Sequence, residues 1–72
     1  MKSMIEVFKT NVVKPSQAKT ILKILQENFN DFKVNFDLAD CDKVLRVQGK
    51  RISPEEIIKL VNANGYQCEI LD

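Results

Sequence analysis

Between Phe32 and Leu38 the apolar residues Phe32, Val34, Phe36 and Leu38 alternate without a break with Lys33, Asn35 and Asp37. A period of two predicts a strand buried on one face only. Met4 to Thr10 also alternates in side-chain direction, with Ile5 and Val7 on one side and Glu6 and Phe8 on the other, and reads as a first strand. The polar link Ala39, Asp40, Cys41 and Asp42 is short enough for a hairpin turn. Beyond it, Leu45 and Val47 continue on a buried side opposite Arg46 and Gln48, predicting a third strand that pairs back antiparallel. Tyr66, Cys68 and Ile70 alternate with Gln67 and Glu69 as a last strand. Phe8 and Val44 are expected on the sheet face away from the helices, among Glu6, Lys33, Asn35, Arg46, Gln67 and Glu69.

Two stretches carry the longer helical period. From Pro15 onward, Ala18, Ile21, Leu22, Leu25 and Phe29 draw one apolar stripe, with Lys19, Lys23 and Glu27 off it. Pro15 suits a first helical position, where its missing N–H costs nothing. Ser53, Pro54, Glu55 and Glu56 form a second helix start: a hydroxyl to cap, Pro in the first turn, and a carboxylate three residues on to bond back. Ile57, Leu60 and Val61 supply the inward stripe, and Asn64 with Gly65 ends the helix through a left-handed residue.

The order strand, helix, strand, strand, helix, strand predicts an α+β chain. Right-handed crossovers fold two such split units into a ferredoxin-like βαββαβ sandwich, a four-stranded antiparallel sheet with two helices on one face. Residues 1–72 form one domain, since a chain of 72 residues holds one core. In this topology the first strand-to-helix loop, the Asp40–Asp42 turn and the Asn64–Gly65 loop share one end of the sheet.

Composition narrows the function classes. Eleven Lys and Arg against ten Asp and Glu leave a net charge of +1, far from a nucleic-acid-binding footprint, so no nucleic-acid partner is expected. No apolar run exceeds two residues, which predicts no membrane insertion and a cytoplasmic location. Two Cys are too few for a disulfide scaffold, and free thiols in a reducing compartment are the simplest expectation. The absence of His removes the commonest general base and transition-metal ligand. There is no Gly-rich phosphate loop, nucleophile elbow or pair of catalytic carboxylates. We therefore expect no enzyme and no cofactor.

Three features remain as candidates. Asp40, Cys41 and Asp42 could converge on a cation, although one thiol and two carboxylates fall short of a four-ligand structural zinc site. Cys68 on its strand face is expected to act as a small buried hydrophobe. Lys14, Lys19 and Lys23 lie on or beside the outer face of the first helix, where they could meet an acidic protein partner. The like charges at Lys19 and Lys23, four residues apart, slightly disfavour the helix itself.

The spacing of Ile21 and Leu25 along the first helix and the closing Asn64-Gly65-Tyr66 resemble, over the whole chain, the heavy-metal-associated domain. That module occurs in copper chaperones, in metal-transporting ATPases and in mercury-binding proteins. Its pattern, Met-x-Cys-x-x-Cys ahead of those helix positions, puts Val12 at the family's Met, and Lys14 and Gln17 at its two cysteines. The resemblance implies the ferredoxin-like fold and a degenerate metal-binding site, because Val12 to Gln17 contains no thiolate. Soft cations such as Cu(I) need paired thiolates, and a protonated Lys has no lone pair to offer. The resemblance implies protein contact as the leading function. A metal carrier or sensor built on Cys41 and its neighbouring carboxylates is the alternative, as is a regulatory module binding a small anion near Lys14. The oligomeric state is left open.

Overall fold

The computed structural model describes residues 3–71. Six elements follow one another: β1 (Met4–Thr10), α1 (Pro15–Asn28), β2 (Lys33–Asp37), β3 (Val44–Gly49), α2 (Pro54–Ala63) and β4 (Cys68–Ile70). The strands form one sheet in the order β2-β3-β1-β4, and every neighbouring pair is antiparallel. The central strands β3 and β1 are joined through Glu6 opposite Val47 and Phe8 opposite Leu45. This is the ferredoxin-like α+β arrangement expected from the sequence.

The core is a single layer between one sheet face and the two helices. Phe8, Leu45 and Val47 from the sheet meet Ile21 and Leu25 from α1 and Ile57 and Val61 from α2, all at most 1% exposed. Val34 and Phe36 of β2 pack against this layer from the sheet edge while Lys33 and Asn35 stay exposed. One-sided alternation therefore does here what it predicts.

The expectation for β1 is reversed. Phe8 is fully buried with the helices, whereas Ile5 is 62% exposed on the other face. Residues paired across antiparallel strands point to the same side, and Phe8 lies directly opposite Leu45, so Phe8 must face the helices with it. Both faces of β1 carry apolar residues, and its alternation alone does not choose between them. Val44 keeps the opposite parity to Leu45 but is only 4% exposed, so neither residue offers an aromatic or apolar platform to solvent.

Helix ends account for the remaining backbone. Pro15 opens α1 after Lys14, whose side chain makes no cap bond; an ammonium can only donate. Instead the Gln17 side-chain oxygen accepts the Lys14 N–H at 3.1 Å and, more weakly, the Val13 N–H at 3.4 Å. The capping box expected at Ser53 is absent. Its hydroxyl donates to the Glu55 carboxylate at 3.3 Å, and no side-chain cap bond forms. Adjacent acids draw the hydroxyl away from the helix amides, though Glu55 and Glu56 still favour the positive end of α2. At the other end Gly65 takes φ +92°, a conformation that costs residues with a Cβ.

Gly49 serves a different need. The Phe32 ring occupies the space where a Cβ on Gly49 would lie. It also stacks on Phe29 with centroids 5.1 Å apart and planes 12° apart.

Two stability outcomes follow, both read by urea denaturation. Phe8→Ala is expected to cost about 3–5 kcal/mol as a buried aromatic truncation, whereas Ile5→Ala stays within about 0.5 kcal/mol; the opposite ranking would refute the β1 facing. Gly49→Ala is expected to cost about 1–3 kcal/mol by overpacking against Phe32.

Candidate functional site

The three loops at one end of the sheet are tied together by Asn11 and by Thr10, a buried polar residue closing β1. Its N–H donates to the Asp42 carbonyl at 3.1 Å, and its hydroxyl donates to the Lys43 carbonyl at 2.6 Å. The same hydroxyl oxygen accepts the Val12 N–H at 3.2 Å. Next to it, the Asn11 side-chain oxygen accepts the Gln67 N–H at 2.8 Å. The β1–α1 loop, the β2–β3 turn and the approach to β4 are thus held as one surface, as the topology requires. The clasp made by Thr10 has no signal in the sequence, where a Thr at a strand end reads only as β-favouring.

The β2–β3 turn is stiff. The Asp40 carboxylate accepts the Asp42 N–H at 2.9 Å, and the Asp40 carbonyl accepts the Lys43 N–H at 3.0 Å. Lys43 adopts φ +47°, a left-handed conformation that costs a non-glycine residue about 1–2 kcal/mol. Its ammonium reaches the Leu38 carbonyl at 3.0 Å, which together with the Thr10 bond holds it there.

Asp40, Cys41 and Asp42 are brought together as expected, their potential ligand atoms all within 4.8 Å of one another. Asp40 and Cys41 are exposed and Asp42 is half-buried. One Asp40 oxygen is already used to shape the turn, and three donors leave a tetrahedral set incomplete. Cys68 lies away from the turn, buried in β4. Burial, with a smaller contribution from the negative charge of Glu69, pushes its thiol from 9.0 up to about 12, so it is not a nucleophile near neutral pH. Both cysteines are free.

At the head of α1, Val12 is fully buried and Val13 is 61% exposed. Lys14, Lys19 and Lys23 are all exposed, and Gln17 is half-buried with its oxygen engaged by the backbone. A soft metal ion does not fit these donors: the Lys14 ammonium carries no free lone pair, and the Gln17 oxygen is hard and already in use. Lys14 adds positive charge at the positive end of the helix dipole. Among the described residues no buried side-chain nitrogen or oxygen lacks a hydrogen-bond partner, and no helix is long and apolar enough to cross a membrane.

No family model matches the chain, and no curated protein matches it in sequence. In shape it is similar to oxidized MerP from Ralstonia metallidurans CH34, known from a crystal structure. The TM-score is 0.79 at 12% identity, over 99% of this chain and 100% of that one. Such a likeness establishes the fold along nearly the whole chain. What a shared fold holds in its loops is decided by the residues there.

Thiol chemistry checks this geometry. A maleimide at neutral pH is expected to modify Cys41 alone in the folded protein and both cysteines in denaturant without reductant, counted by mass spectrometry. The raised Cys68 pKa also makes a pH prediction. Its contribution to stability is complete below about pH 9 and is lost as pH rises toward about 12, because the unfolded chain releases that proton first. Across this window wild type should lose stability more steeply than Cys68→Ala in parallel denaturation curves.

Proposed function

We propose that the chain is a non-enzymatic domain on the heavy-metal-associated scaffold that contacts an acidic protein or domain through the head of α1. The observation that carries this reading is Val13, an apolar side chain 61% exposed and set beside the exposed Lys14 at the helix start. Lys19 and Lys23 extend the positive charge along the same helix, and its first turn has no acidic residue. An apolar centre with a charged rim is the anatomy of a contact surface, and the rim steers an oppositely charged partner. The thiol-free loop argues against the soft-metal chemistry that the scaffold carries in heavy-metal-associated domains. A cytoplasmic location accords with an exposed Cys41 outside any disulfide.

A second reading rests on the proximity of Asp40, Cys41 and Asp42: a carrier or sensor holding a divalent or soft cation at the turn, with a second molecule completing its coordination. Metal titration under reducing conditions separates the two. Zn(II) or Cu(I) retained against a competing chelator by wild type but not by Cys41→Ser would favour the second reading and displace the first.

Contact itself is tested with an oligoglutamate peptide as a stand-in for an acidic face, followed through amide shifts of 15N-labelled protein. Val13, Lys14, Lys19 and Lys23 should move. The Lys14→Glu, Lys19→Glu, Lys23→Glu triple variant should bind about tenfold more weakly or worse, since each exposed charge contact contributes about 0.2–1 kcal/mol and reversal doubles the effect. Shifts confined to another surface, or a triple variant that binds as wild type does, would refute the reading.

A further inference from the structure

The opposite end of the sheet has a separate feature, independent of the reading above. Where α1 runs into β2 and β3 runs into α2, the surface opens into a groove of about 730 Å³. Phe32 and Gly49 are among its lining residues. Lys33 projects from the start of β2, and Lys50 and Arg51 come from the link between β3 and α2. We propose that this groove is a binding site for a small phosphorylated ligand.

Three observations converge on it. First, charge is gathered and, among the described residues, makes no ion pair. Lys33, Lys50 and Arg51 are all exposed, and Asp31 is the sole carboxylate among the lining residues. The ion pair found among the described residues joins Arg46 to Asp37 at 3.9 Å and uses none of the three cations. Like charges crowded around a concave surface raise the local concentration of anions and are relieved by binding one.

Second, the chemistry of the donors selects the anion. A guanidinium presents a planar fork of N–H groups, and two ammonium groups add point charges with rotatable donors. A tetrahedral phosphate dianion offers three oxygens to such a set, and charge-assisted bonds of this kind are among the stronger ones. The Ser3 and Gln48 side chains, which also line the groove, add neutral donors for a bridging oxygen.

Third, the backbone of the groove is fixed. Phe32 is held by its stack on Phe29, by its N–H on the Phe29 carbonyl at 3.0 Å, and by Gln26 Nε2, which donates to the Phe32 carbonyl at 2.6 Å. Gly49 admits the ring only because it lacks a Cβ. The ring itself belongs to the helix-side layer, so what it supplies to the groove is a fixed backbone at Gly49 between the cations.

The test is a titration of 15N-labelled protein with inorganic pyrophosphate at moderate ionic strength. Saturable amide shifts are expected at Lys33 and along Gln48 to Arg51. Lys33→Gln, Lys50→Gln and Arg51→Gln should each weaken binding about two- to fivefold, the range of an exposed charge contact, and Asp31→Asn should strengthen it by a similar factor. Lys14→Gln, at the far end, should leave it unchanged. All four groove residues are exposed, and matching backbone spectra will confirm that the variants fold. Shifts without saturation, shifts centred on Lys14, a groove triple variant that binds as wild type does, or equal binding of oligoglutamate at the groove would each overturn the proposal.

Discussion

A single apolar layer closed between one sheet face and two helices is the constraint on which the rest of the molecule depends. Phe8, Leu45 and Val47 meet Ile21, Leu25, Ile57 and Val61 there, and that layer takes all but one of the largest fully buried side chains. Every strand must then send alternate residues inward, and the partner of any inward residue must face inward too. Chemistry is left to the outer sheet face and to the two ends, where the connections run.

The two ends are built differently. At one, Thr10 and Asn11 bind three loops through their backbone groups, and a turn carrying Asp40 and Asp42 lies on the same surface as the cationic start of α1. That end is closely hydrogen-bonded and mixed in charge. At the other, two connections leave a groove lined by Phe32, Gly49, Lys33, Lys50 and Arg51. Aromatic packing against Gly49, not hydrogen bonding between loops, shapes it.

The likeness to oxidized MerP at 12% identity shows how little of this scaffold depends on particular residues. Hydrophobic pattern and helix-ending chemistry suffice to rebuild it, since cores tolerate wide exchange of apolar side chains when volume and pattern are kept. The loop ahead of α1 is under no such restraint. Gln17 spends its oxygen on the helix start and Lys14 turns a cation toward solvent, so this helix start favours negative charge.

The element order, the start of both helices at proline and the left-handed Gly65 were legible in the sequence, because each is set by residues close together in the chain. The proximity of Asp40, Cys41 and Asp42 was legible for the same reason. Four features were not. The facing of β1 depends on its register with Leu45, since its own residues are apolar on both sides. The failure of Ser53 to cap depends on a competing contact with Glu55. The Thr10 clasp and the Phe32–Gly49 contact join residues distant in sequence. Local order along the chain determined the elements, while the tertiary structure decided which faces and ends they present, because pairing and close packing act between segments that the linear pattern does not connect.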